Sequence, residues 1–225
     1  MLHHCRAVSR GATLPFLVGD MPFGSYQTSP EAAVANAIRF IKEGNMEAVK
    51  LEGGVEVADT VRKIVSAGIP VMGHVGLTPQ SQSALGGYRV QGKTASQAMK
   101  LLQDARALQE AGCFSVVLEA VPDPVAKAVT EALHVPTIGI GAGPHTSGQV
   151  LVQLDALGIF DRFVPKFCKQ YATMGASIKQ ALEAYHQDVK QRSFPGPEHC
   201  YPINEQELSK FMEILKKEHH EGKHH

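Results

Sequence analysis

Six times along these 225 residues an apolar run of strand length ends in polar or glycine residues and gives way to a helix-like stretch. The run ends read Leu-Val-Gly-Asp (17–20), Val-Lys-Leu-Glu-Gly-Gly (49–54) and Gly-His-Val-Gly-Leu-Thr-Pro-Gln (73–80). They continue with Val-Leu-Glu-Ala-Val-Pro (117–122), Gly-Ile-Gly-Ala-Gly (139–143) and Val-Pro-Lys-Phe (164–167). Such alternation specifies an α/β protein with a parallel sheet. In a parallel β/α barrel all strands open by their C-terminal ends onto one face, and that face carries the chemistry. The order therefore gathers Asp20, Lys50, Glu52, His74 and Glu119 around one mouth.

The pattern predicts strands over 14–20, 48–52, 69–75, 114–118, 136–141 and 162–166. Between them it predicts helices over 30–43, 55–67, 95–111, 123–133, 148–156 and 171–191, after a helix over 2–10 closed by Gly11. Pro30 at a first turn, an alanine-rich interior and Gly44 as the C-cap mark the 30–43 helix. Ala98, Leu101, Leu102, Ala105 and Leu108 give 95–111 its helical period. A closed barrel needs eight strands. Six strands leave two architectures open: a doubly wound open sheet, or a barrel short of two strands. Phe194 to His199 reads as a rigid turn and 204–217 as a short amphipathic helix. The expected organisation is one incomplete barrel domain over 1–201, followed by a helix and frayed tail over 202–225.

Composition narrows the function. Lys+Arg and Asp+Glu both number 22, so no global basic field points to nucleic acid or anionic membrane. The apolar runs fall far short of the ~20 residues of a membrane span. Cys5, Cys113, Cys168 and Cys200 form no CxxC pair, which argues against a zinc site and for a reducing compartment. Cys113 reads as a small core residue. Four of the 11 histidines (His219, His220, His224, His225) sit in the tail, which reads as a solvated end. No targeting segment stands out at the N-terminus. Gly139, Gly141 and Gly143 lack the G-x-G-x-x-G context of a dinucleotide site. They read as places where backbone approaches a ligand or fits a narrow barrel mouth.

Gly-Asp-Met-Pro-Phe (19–23), Val-Lys-Leu-Glu-Gly-Gly (49–54), Gly-His-Val-Gly-Leu-Thr-Pro-Gln (73–80), Gly-Gly-Tyr-Arg-Val-Gln-Gly (86–92), Leu-Glu-Ala-Val-Pro (118–122), Gly-Ile-Gly-Ala-Gly (139–143) and Pro-Gly-Pro-Glu-His (195–199) occur in this order. With them the chain closely resembles the ketopantoate hydroxymethyltransferases over residues 2–201. Pro-Lys-Phe-Cys-Lys-Gln-Tyr (165–171) looks more like plant and fungal members than bacterial ones.

The resemblance implies a (β/α)8 barrel of the phosphoenolpyruvate/pyruvate-binding type, here with about six of its eight strands. It implies hydroxymethyl transfer from 5,10-methylenetetrahydrofolate to 3-methyl-2-oxobutanoate, giving 2-dehydropantoate for pantothenate and coenzyme A synthesis. It implies Mg²⁺, a homo-oligomer (commonly a decamer) and, by the plant and fungal likeness, mitochondria (otherwise the cytoplasm). The family pattern begins with two further strands, the second ending in Gly-Asp-Ser, which this chain lacks. By that resemblance the chain is expected to be a shortened product.

The reaction needs a carbanion equivalent at C3 of a 2-oxo acid. A hard divalent cation on the keto and carboxylate oxygens supplies it through oxygen ligands at strand ends. Asp20 is the first metal ligand by position and resemblance, and also a substrate contact. Glu52 is the second ligand, direct or through a water. Lys50, two residues before Glu52, shares its side of the strand and suits the substrate carboxylate or an oxyanion. Its bland alternative is a structural partner of Glu52. Glu119 ends the apolar run Phe-Ser-Val-Val-Leu, where partial desolvation raises a carboxyl pKa. By resemblance it is the general base that enolises the substrate or serves the folate nitrogen; otherwise it is an ion pair of the rim. His74 is assigned a hydrogen bond near the substrate or metal shell. Loop 76–93, with Tyr88 and Arg89, is expected to cover the site or line the folate entrance. Two alternatives stand beside the transferase: an impaired shortened form that keeps Lys50, Glu52 and Glu119 but binds metal poorly, and a carbon–carbon lyase acting on a related 2-oxo acid.

Overall fold

The computed structural model describes residues 1–81, 90–160 and 163–221. Six strands form one parallel sheet: β1 (Val18–Asp20), β2 (Ala48–Lys50), β3 (Val71–Gly76), β4 (Ser115–Glu119), β5 (Thr137–Ile140) and β6 (Gly148–Gln149). Their spatial order is their sequence order. A doubly wound sheet reverses its strand order at a switch point. This one never does, so the fold is a partial β/α barrel.

The helices are α1 (Leu2–Gly11), α2 (Pro30–Gly44), α3 (Ala58–Ser66), α4 (Ala95–Glu110), α5 (Asp123–Ala132), α6 (Gln153–Ala156), α7 (Met174–Gln191) and α8 (Glu205–Glu221). Among the described residues no helix is long and apolar enough to cross a membrane. Ser29 caps α2 by accepting from Ala32 N at 3.1 Å, and Thr94 caps α4 by accepting from Gln97 N. Both leave one fewer orphan N–H at the helix start.

Alternation within the strands sorts two faces. Val49, Leu51, Val71, Val75, Val116 and Leu118 pack in the core with Ala33, Ala37 and Phe40 of α2, Val61 and Ile64 of α3, and Leu101, Ala105 and Leu108 of α4. The intervening residues Asp20, Lys50, His74 and Glu119 belong to the other face. This second face carries the site.

Two expectations change. The sixth strand is not 162–166. Arg162 lies outside the described residues, and 163–166 form no strand. Pro165 there has no N–H to give a ladder. The sixth strand is Gly148–Gln149, which also reduces the expected 148–156 helix to Gln153–Ala156. Polar side chains hold it: Thr137 N donates to Ser147 Oγ at 3.1 Å, and Ser147 N donates to Thr137 Oγ1 at 3.3 Å. Gly148 fits beside Ile138 because a Cβ there would stand 2.9 Å from Ile138 Cδ1. The second change is at the end of α2. Asn45, at φ 55°, takes the left-handed cap, while Gly44 is the last helical residue, buried against Cys5 of α1.

Candidate active site

The C-terminal ends of β1 to β4 bring Asp20, Lys50, Glu52, His74 and Glu119 together, as the sequence order requires. Lys50 faces Asp20, its register partner on β1, and its Nζ lies 2.8 Å from Asp20 Oδ1. The same Nζ is 3.2 Å from His74 Nδ1. Lysine has only donors, so this contact makes Nδ1 the acceptor and leaves the proton of the neutral ring on Nε2. That Nε2 lies 3.2 Å from Glu119 Oε2. Glu52 Oε1 lies 3.8 Å from Nδ1 on the opposite side of the imidazole. The ring is 3% exposed, so histidine, lysine and the two glutamates form one largely desolvated charge cluster. Lys50 thus pairs directly with Asp20 and His74, and its charge also favours the ionised form of Glu52.

Burial pushes the Glu52 carboxyl above the ordinary carboxylate range, against the opposing pull of His74 and the Gln80 N–H. Glu119 keeps a 14% exposed side chain, open enough to meet a small molecule. Its backbone is tightly set. Gly76 sits beside it in register at φ 96°, and a Cβ there would stand 2.3 Å from the Glu119 carbonyl oxygen. Ala120, the next residue, is held at φ 50°, a left-handed conformation that costs a non-glycine residue energy and gathers at functional sites. Its N–H donates to Ile140 O and its carbonyl accepts from Gln91 N, both at 2.9 Å.

Two residues here escaped sequence reasoning. Gln80 N donates to Glu52 Oε2 at 3.0 Å, and Tyr26 OH donates to Gln80 Oε1 at 3.1 Å while accepting from Glu52 N at 3.3 Å. Burial pushes the Tyr26 phenol up to about 12, so it stays a donor at neutral pH. Gln80 lay in view inside the 73–80 motif. Tyr26 gave no signal beyond lying in the loop after β1.

The carboxylates fit a hard cation. Among the described residues, Asp20 Oδ1 and His74 Nε2 are the buried side-chain atoms without a hydrogen bond. Lys50 is near Asp20 in distance but off the hydrogen-bond direction. Mg²⁺ is held through one or two carboxylates, with water and substrate oxygens completing its shell. Asp20 and Glu52 are the carboxylates here that could serve as such a pair. No group of three or more His, Cys, Asp or Glu residues fit to hold a metal occurs among the described residues.

Tyr88 and Arg89 lie outside the described residues. The three glycines in and after β5 make room for the chain itself: a Cβ at Gly139 would meet Thr146, at Gly141 Phe167, and at Gly143 Asp123. Cys113 is buried with its thiol pushed up to about 12, an inert core residue.

Comparison with known proteins shows the family of the chain. The sequence model of the ketopantoate hydroxymethyltransferase family matches residues 1–197. A Syntrophobacter fumaroxidans protein named 3-methyl-2-oxobutanoate hydroxymethyltransferase is 58% identical over 210 residues, covering 93% of this chain and 74% of its own length. The Oryza sativa subsp. japonica protein named 3-methyl-2-oxobutanoate hydroxymethyltransferase 1, mitochondrial, is 57% identical over 224 residues, covering 96% of this chain and 62% of its own length. The chain therefore spans between about three-fifths and three-quarters of these relatives, and resembles the bacterial one as closely as the plant one. A crystal structure of a phosphonomutase candidate from Burkholderia cenocepacia J2315 shares the fold at TM-score 0.51 and 14% identity, over 85% of this chain and 76% of that one.

Proposed function

Because the chain belongs to the ketopantoate hydroxymethyltransferase family, we propose that it transfers a hydroxymethyl group from 5,10-methylenetetrahydrofolate to 3-methyl-2-oxobutanoate, giving 2-dehydropantoate for pantothenate synthesis. The observation that carries this reading is the convergence of Asp20, Lys50, His74 and Glu119 on one sheet face. Glu119 takes the C3 proton of the 2-oxo acid, leaving the electron pair as an enolate. Lys50 holds the substrate carboxylate and the developing oxyanion. His74 stands between Lys50 and Glu119, with its Nε2 3.2 Å from the carboxylate that receives the C3 proton. The enolate carbon then forms the new C–C bond to the one-carbon unit as that unit leaves the folate nitrogens. Water supplies the hydroxyl oxygen, and the nitrogens take up protons.

Asp20, with Glu52 directly or through a water, would hold Mg²⁺. Bound there, the ion polarises the keto oxygen of the substrate and stabilises negative charge on it. The proposal extends to a homo-oligomer, supported by the exposed apolar stripe Ile178, Leu182, Tyr185 and Val189 on α7. It also extends to mitochondria, supported by the name of the rice relative.

The test incubates purified chain with both substrates and Mg²⁺ and follows 2-dehydropantoate by mass spectrometry. Metal-dependent product is expected. Folded chain that forms none at any Mg²⁺ concentration contradicts the proposal.

A further inference from the structure

The hydrogen bonds around Glu52 close a ring. The Glu52 N–H donates to the Tyr26 hydroxyl, the hydroxyl donates to Gln80 Oε1, and the Gln80 N–H returns to Glu52 Oε2. Gln80 Nε2 also donates to Met21 O at 3.0 Å. The reversed amide would set two oxygens face to face at Met21, so the network fixes the side chain. Met21 is fully buried and its N–H donates to Lys50 O, which anchors the outer end of the ring on β2. The ring thus ties together the segments that follow β1, β2 and β3. Its one output toward the site is the orientation of the Glu52 carboxylate: Oε2 is occupied by a backbone donor, and Oε1 is left facing His74. Closed chains of hydrogen bonds strengthen one another in a low-dielectric interior.

We propose that Tyr26 and Gln80 are positioning residues that fix the Glu52 carboxylate in the orientation the site uses. The inference rests on the function proposed above and adds two residues to it. Neither faces the reacting atoms; both act through Glu52. Removing an outer partner of this kind typically costs about 10–100-fold in activity or metal affinity.

Tyr26→Phe deletes one oxygen and keeps the buried ring, so the fold survives it. Gln80→Ala removes the amide but keeps the backbone donor, and serves as the second variant. Three readouts are taken: kcat and KM for C3 hydrogen–deuterium exchange of 3-methyl-2-oxobutanoate with Mg²⁺ and the thermal midpoint on wild type and both variants, and the backbone amide proton resonance of Gln80 on wild type and Tyr26→Phe. Positioning predicts that in Tyr26→Phe kcat falls about tenfold with KM within about twofold. It also predicts that the Gln80 amide proton moves upfield as its bond to Glu52 loosens. The proposal is overturned if both variants keep wild-type kcat, if they lose it only in proportion to unfolded protein, or if the Gln80 amide stays in place in Tyr26→Phe. A wild-type chain without exchange overturns the functional reading instead. The Gln80 resonance then still decides whether the ring sets Glu52.

Discussion

Residues 2–142 and residues 163–221 obey the same helical rules and end in opposite states. In the first region every α-helix buries part of one face: Ala33, Ala37 and Phe40 of α2, Val61 and Ile64 of α3, Leu101, Ala105 and Leu108 of α4. In the second region α7 repeats the apolar spacing with Ile178, Leu182, Tyr185 and Val189, all of them exposed, and the helix has no buried residue. Amphipathic spacing therefore makes a helix in both regions, but only contact with the sheet turns the stripe into core. The site follows the same division. Asp20, Lys50, Glu52, His74 and Glu119 all stand on the packed region, where rigid strand ends can hold charges within about 4 Å of one another.

The largest effect that sharpens this contrast is chemical. Glu119→Gln keeps the shape and removes the proton acceptor, and exchange of the substrate C3 proton should fall about 10²–10⁴-fold by NMR. Next comes packing. Leu108→Ala, at a fully buried position, should cost about 2–5 kcal/mol in urea denaturation. Leu182→Ala, 63% exposed on α7, should stay within about 0.5 kcal/mol when measured at concentrations where the chain is monomeric. Equal losses at the two positions would break the comparison.

Much of the packed region was legible in the residues. Strand ends with carboxylates, glycine closures and the 3.6-residue stripe of α4 each carry a periodic or punctuated signal. The sixth strand was not legible, because two residues, one of them glycine, show no alternation. Its pairing comes from the Thr137 and Ser147 hydroxyls, which look like ordinary loop residues in sequence. The Tyr26–Gln80 ring was hidden for a similar reason: bonds from loop N–H and hydroxyl groups to a distant carboxylate have no spacing rule. The five charged and imidazole groups of the site could be read because each ends an apolar run.

Smaller effects probe the local devices. Gly76→Ala forces a side chain into φ 96° against the Glu119 carbonyl and should cost about 1–3 kcal/mol, with exchange lowered in parallel. Ser29→Ala removes the α2 cap and should cost about 1 kcal/mol. Thr173→Ala, before α7, should leave the thermal midpoint unchanged, since its side chain caps nothing.

A further effect depends on pH. Burial raises the Glu52 pKa above its ordinary 4.5, so the folded state binds that proton more tightly than the unfolded state. The resulting stability is fully present below pH 4.5 and is lost as pH rises through the folded value. Glu52→Gln should therefore match wild type in thermal midpoint at acid pH and exceed it increasingly toward neutrality. A gap that widens on acidification would contradict the burial argument.

The central claim is that the packed face alone holds an enolising site. Proton NMR of 3-methyl-2-oxobutanoate in D₂O with the purified chain, with and without Mg²⁺, tests it most directly. The account predicts metal-dependent loss of the C3 proton signal. Soluble, folded chain that leaves that signal intact with Mg²⁺ present would contradict it.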